Sequence, residues 1–411
     1  MAPRAPHRFA PAHPSLGPDG STPTFMIGPL PPEEAQRTAV QAIWTFPSIL
    51  TSAFVVAWGA EAAQFYVSQG LALALLAWIQ VLPEFAVEAV ISWERNVPLM
   101  TANFTGALRL LTGLGWPMIW TVYAVSHRRR GHREPWPHIA LEREHAAGVV
   151  GLVPPLVYFA WIIYKGTLDC VDAAVLLGLY AAYLVVVNRT PPKEHEEIED
   201  VAAVPRAILG LTSRRRTLAI LGLFLLGGVG IYFSVHPFLQ SMVGLATVLG
   251  ISQFVFVQWV APFLSELPEF VTTSYWARSR GKAGMALMNI VSSNINQWTV
   301  LAAMIPIVYS MSLGHLAAVP LHEHRVELML TLLQGTLGVV LLSNLTFHAY
   351  EALGLFILWF LQFLVPHWRE EISVAYALWL VIEIGSVTWR PDRLKAFFVF
   401  PKLWSQGGRK S

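Results

Sequence analysis

Apolar residues in this chain come in long blocks separated by short polar stretches, and the block lengths define the elements. The pattern predicts spans at about 39–67, 70–93, 98–124, 148–164, 168–188, 217–249, 251–276, 284–310, 326–345 and 349–365, with a final apolar stretch at 372–388 as an eleventh. Blocks of this length match the apolar thickness of a bilayer crossed by a helix. Unbroken runs do not fit the alternating ten-residue strands of a membrane barrel, so helices are the expected form. The sixth block is long enough that it must tilt or bend. Residues 1–38 hold nine prolines and no apolar run, and read as a disordered tail. No apolar stretch follows Arg4 or Arg8 closely enough for a signal peptide.

Composition agrees with the pattern. The chain is 55% hydrophobic and only 13% charged, about half the charged fraction of a water-soluble domain. It reads as an all-α polytopic membrane protein, embedded in a lipid bilayer. The net charge of +2 gives no reason to expect nucleic acid, and no glycine-rich phosphate loop points to ATP. Cys170 is the single cysteine, so no disulfide forms within the chain. Lysine and arginine set the orientation. Loops after the third, fifth and seventh spans carry 14, against 4 in the loops after the second, fourth, eighth and tenth. The amino terminus is therefore expected outside the cell membrane, and the basic tail from Arg390 to Lys410 inside.

The two halves of the chain match each other. Ser68-Gln69 begins a stretch that reaches Leu82-Pro83-Glu84-Phe85, and Ser252-Gln253 begins one that reaches Leu267-Pro268-Glu269-Phe270. Asn103 and Asn289 follow at matching distances, and the offset between copies stays at 184–186 residues. Five spans per copy is an odd number, so the second copy enters the membrane from the opposite side. Inverted repeats of this kind build secondary transporters, with the substrate site near the midplane at the repeat interface. The expected organisation is a tail (1–38), a first five-helix repeat (39–188, motif 68–112), a charged cytoplasmic loop (189–216), a second repeat (217–365, motif 252–298), and the eleventh span with its tail (366–411). Pro83 and Pro268 each remove a helical hydrogen bond, and the freed carbonyl can face an ion.

Carboxylates within a bilayer are costly and usually functional. Here two pairs repeat: Glu84 with Glu88, and Glu266 with Glu269, spaced so that each pair shares a helix face. Two such faces meeting would form an oxygen-rich cavity suited to a hard divalent cation such as calcium. The eighth span adds Asn289, Ser292, Ser293, Asn294, Asn296 and Gln297, a polar run that reads as ligand supply opposite Glu269. Glu61, Glu327, Glu351 and Glu383 lie in or near spans, as pore residues or interface carboxylates. His195, His315 and Leu321-His322-Glu323-His324 read as solvated loop residues, and the acidic run 194–200 as a solvated charge run.

These segments resemble the alpha repeats of the sodium/calcium exchanger (cation/calcium antiporter) superfamily. Its pattern is a Thr-Ser-Leu-Pro-Glu-like element followed by Gly-Asn-x-x-Gly-Ser-Asn-x-x-Asn. The second copy here reads Ser265-Glu266-Leu267-Pro268-Glu269, then Asn289 through Ser293, Asn294 and Gln297; the first reads Gln80-Val81-Leu82-Pro83-Glu84, then Asn103 through Leu111. The motif segments cover about a fifth of the chain. The resemblance implies ten core helices, with Glu84 and Glu269 ligating the transported cation. Glu88, Glu266, Asn103, Asn289, Ser293, Asn294 and Gln297 are the further candidate ligands. It also implies a cation antiporter, not an enzyme, that needs no cofactor and exports calcium in exchange for sodium or protons by alternating access. Spans one and six would rock against the bundle.

The first copy departs from the pattern. Ala107, Leu108 and Leu111 stand where the family carries side-chain oxygens, and Arg109 sits beside them. Arg109 is expected to pair with Glu84, Glu88 or Glu266, its guanidinium replacing one bound sodium; fewer coupling ions, or proton coupling, would follow. A member moving another cation, or a scaffold or sensor that kept the fold, stands as the alternative.

Overall fold

The computed structural model describes residues 30–66, 81–132, 134–189, 201–387, 389 and 391–407. Helices stand at all eleven expected spans. They are Ala42–Ala63 (span one), Leu82–Trp93 (the described part of span two), Val97–Arg129 (three), Ala146–Lys165 (four, with a break at Leu152) and Cys170–Arg189 (five). The second set is Ser213–Leu249 (six), Gln253–Arg278 (seven), Ala283–Leu313 (eight), Arg325–Leu342 (nine), Ala349–Leu364 (ten) and Arg369–Val387 (eleven). The Ser68-Gln69 anchor and Gln80 lie outside the described residues, as does the acidic run 194–200. Span six runs for 37 residues, about 55 Å at 1.5 Å per residue, and so overshoots a bilayer core.

One expectation needs correction. The segment read as a disordered tail contains a helix, Pro32–Val40, broken from span one at Gln41. Proline at its start, Glu33 and Glu34 in its first turn and Arg37 in its last suit the helix ends. Its Ala35 and Thr38 bury against span six, where a Cβ on Gly244 would stand 2.1 Å from the Thr38 hydroxyl; glycine lets the helices touch. The basic tail carries a helix of its own: Lys395–Gly407 buries Ala396 and Val399, and an Arg393–Glu383 ion pair ties the segment back to span eleven.

Four two-residue strands mark the symmetry. We number them β1 (Ile139–Ala140), β2 (Thr167–Leu168), β3 (Val319–Pro320) and β4 (Thr346–Phe347). β1 pairs with β4 and β2 with β3, both antiparallel. Exchanging the repeats carries one pair onto the other. Spans four and nine separate the two pairs, which places them at opposite ends of the bundle. That arrangement follows from a twofold axis lying in the membrane plane, as inverted repeats require. Spans three and eight also each carry a π-helical turn, Leu111–Gly115 and Gln297–Leu301, at a register offset of 186. Such turns recur at functional sites because the extra residue re-aims side chains.

Candidate functional site

Each repeat presents its carboxylates on the helix that carries the Leu-Pro-Glu element. Pro83, expected to remove a helical hydrogen bond, instead lies in the first turn of Leu82–Trp93, where its missing N–H costs nothing. Pro262 and Pro268 lie inside the span-seven helix, so the carbonyls of Gln258 and Leu264 lose their intrahelical donors. Glu84, Glu88 and Glu266 are buried, and Glu269 is half-buried.

An amide or hydroxyl holds every one of the four. The Asn103 amide donates to Glu84 at 2.8 Å and to Glu88 at 2.7 Å, bridging the first pair. Asn289 and the Ser293 hydroxyl both donate to Glu269 Oε1, at 2.8 and 2.7 Å. Gln297 donates to Glu266 at 2.6 Å. The Ser265 hydroxyl, from the second repeat, donates to Glu84 of the first and ties the two halves together. Ser265 was absent from the expected site; its signal was its place directly before Glu266. Asn294 is not brought to a glutamate: its amide faces the Leu108 carbonyl at 3.5 Å. Ser292 bonds Tyr183 at 3.1 Å.

The electrostatics are one-sided. Glu266 lies close to both Glu84 and Glu269. Among the described residues, none of the four glutamates forms an ion pair with lysine or arginine. Four carboxyls this close, three of them buried, cannot all be charged unless protons or a cation join them. The described residues hold no ready-made cluster of three or more His, Cys, Asp or Glu side chains for a metal; the Asn103 amide stands between one pair instead. Four oxygens here are buried without a hydrogen-bond donor: Glu88 Oε1, Asn103 Oδ1, Asn294 Oδ1 and Gln297 Oε1. Carboxylate and amide oxygens of this kind are what a hard cation binds.

The family model of the sodium/calcium exchanger protein matches residues 38–188 and 219–367, nearly all of both repeats. The chain belongs to the sodium/calcium exchanger protein family. It is thus a multi-pass membrane protein of an exchanger family. The crystal structure of the H+/Ca2+ exchanger CAX is similar to it, at 30% identity over 90% of this chain and 92% of that one, with a TM-score of 0.80. The sodium-calcium exchanger NCX_Mj soaked with 100 mM Na+ and 10 mM Sr2+ shares the fold, at 17% identity over 82% of this chain and 99% of that one, with a TM-score of 0.51. No curated protein matches the sequence.

Arg109 overturns an expectation in this exchanger-family chain. It pairs with none of the four glutamates; its guanidinium meets Glu327 of span nine at 2.8 Å, with both side chains buried. Glu327 also takes Arg369 of span eleven. The expected stand-in for sodium is therefore engaged in a cluster of its own, away from the four glutamates. Gln258 and Gln362 complete that cluster and were not singled out by sequence, although glutamine in an apolar span is itself a signal.

Proposed function

We propose that this chain is a secondary antiporter that exports calcium in exchange for protons, with Glu84, Glu88, Glu266 and Glu269 as the groups that hold either. One observation carries the reading: four carboxyls face one another across the repeat interface with no basic partner among the described residues, and with donor-free oxygens around them. Such a group must hold a cation or protons, and exchange of one for the other is antiport. Asn103, Asn289, Ser293 and Gln297 orient the carboxylates, and Asn103, Asn294 and Gln297 offer carbonyl oxygens to the ion. Calcium is the substrate, not a resident metal.

Protons are favoured over sodium on two grounds. The first repeat offers Ala107, Leu108 and Leu111 where the family pattern has oxygens, leaving fewer neutral ligands for extra sodium ions. The similarity to the H+/Ca2+ exchanger CAX spans most of both chains. Spans one and six pack chiefly on each other, which supports their moving as a unit. The loop charges support an outside amino terminus.

The test is calcium-45 uptake by proteoliposomes under an imposed proton gradient, then a sodium gradient, for the wild type and Glu269→Gln. Uptake driven by protons and lost in the variant is expected. Uptake driven by sodium alone would move the coupling to that ion, and no uptake under either would leave another cation or a scaffold role.

A further inference from the structure

The two repeats secure their polar helices by different means. Span eight is held to span seven by the site itself, through Asn289, Ser293 and Gln297 on Glu269 and Glu266. Among the described residues, span three reaches the glutamates through Asn103 alone, since Ala107, Leu108 and Leu111 carry no side-chain oxygen. Something else must fix its position.

Six residues beyond Asn103, about 9 Å along the helix axis, lies Arg109. Its Nη2 meets Glu327 at 2.8 Å, its Nη1 donates to Gln362 at 3.1 Å, and its Nε donates to the Thr105 carbonyl at 3.2 Å. The Gln334 amide donates to the Arg109 carbonyl at 3.0 Å, so backbone as well as side chain is held. Gln258 of span seven donates to the Thr105 hydroxyl at 3.1 Å and to Glu327 at 3.3 Å. Arg369 closes the far side of Glu327 from span eleven. The network thus joins spans three, seven, nine, ten and eleven. Between its members, span three presses on span seven at Gly106, where a Cβ would stand 2.0 Å from the Gln258 carbonyl oxygen.

We infer that Arg109 and Glu327 are positioning residues for the first repeat's half of the site: their ion pair, braced by Arg369, sets span three against span seven and thereby aims Asn103 at Glu84 and Glu88. This makes the eleventh span a working part of the transporter. It also accounts for a buried arginine near a cation site, because its guanidinium is held by Glu327 and Gln362 and not by the four glutamates. The inference rests on the proposed antiport, and two readouts separate them.

The first readout is calcium-dependent flux in proteoliposomes. Arg109→Lys and Glu327→Gln each raise KM for calcium at least tenfold with kcat changed less than threefold, Arg369→Gln raises it less, and the Arg109→Glu, Glu327→Arg double variant recovers part of the loss. The second needs no transport. In a Cys170→Ala background, Asn103→Cys reacts with a permeant maleimide at least tenfold faster once Glu327→Gln is added, while a cysteine replacing buried Val149 keeps its rate. Faster reaction with wild-type flux absent sinks the antiport and keeps the positioning role. Unchanged reactivity at position 103, equal acceleration at both cysteines, or loss of kcat without a change in KM overturns the positioning role.

Discussion

Gly106→Ala is the smallest change that should disable the site without touching a candidate ligand. The added Cβ would lie 2.0 Å from the Gln258 oxygen and 2.8 Å from its carbonyl carbon. Ordinary contact begins near 3.4 Å, and both opposing atoms are backbone, so spans three and seven must part by more than about 1 Å. The Gln258 carbonyl can approach this closely because Pro262 has removed its helical donor. Overpacking of this kind costs about 1–3 kcal/mol. Asn103 lies one turn away, and its bonds of 2.8 and 2.7 Å to Glu84 and Glu88 pass beyond hydrogen-bonding length after a shift of about 1 Å. A hydrogen bond to a charged group contributes roughly 1.5–3 kcal/mol, and every 1.4 kcal/mol is tenfold in affinity. Losing one predicts a KM for calcium roughly tenfold to a hundredfold higher, with a lower melting temperature. Helix propensity pulls the other way, since alanine is better than glycine by about 1 kcal/mol. Gly178→Ala is the control, for a Cβ there meets nothing within 4 Å; it should keep KM and melt no lower. A Gly106→Ala protein with wild-type KM and melting temperature would refute the steric argument.

Ser293→Ala removes one of the two donors to Glu269 Oε1 and should raise KM for calcium about threefold to tenfold, at ~1 kcal/mol for one hydrogen bond; an unchanged KM would remove Ser293 from the site. His348, at the start of span ten, holds its Nδ1 3.4 Å from a Glu351 carboxylate oxygen, and that carboxylate raises its pKa above the usual 6.5. Its stabilisation is complete below pH 6.5 and fades as pH climbs through the raised folded-state value. His348→Asn keeps a capping side chain and should flatten the fall of melting temperature between pH 6 and 9, whereas an unaltered slope would count against the pair. With Cys170 replaced by alanine, an impermeant maleimide should label Leu316→Cys on intact cells and His132→Cys only after lysis; the opposite pattern would invert the topology.

Much of this protein is legible without coordinates, because the membrane acts on each segment separately. Every span must hide its own backbone and show apolar side chains to lipid, so hydropathy alone places a helix at each of the eleven spans, close to its ends wherever those ends are described. The repeat is legible for a similar reason: equivalent positions face equivalent surroundings, and Leu-Pro-Glu recurs at one offset. The cost of burying charge singles out Glu84, Glu88, Glu266 and Glu269. Tertiary structure alone decides who meets whom. Glu327 is 218 residues from Arg109, and no local pattern says that it, not a nearer glutamate in the alpha repeats, closes that pair. That outcome depends on how spans three, seven and nine cross, which Gly106 and the Gln258 carbonyl set by contact. Asn294, in motif register, turns to the Leu108 backbone instead of a carboxylate, because Asn289 and Ser293, one turn apart, form the face toward Glu269 and Asn294 lies about 100° around the helix from it. The short helix Pro32–Val40 escaped notice for the same reason. Its nine residues are too few to be stable alone, and span six supplies the surface that holds them.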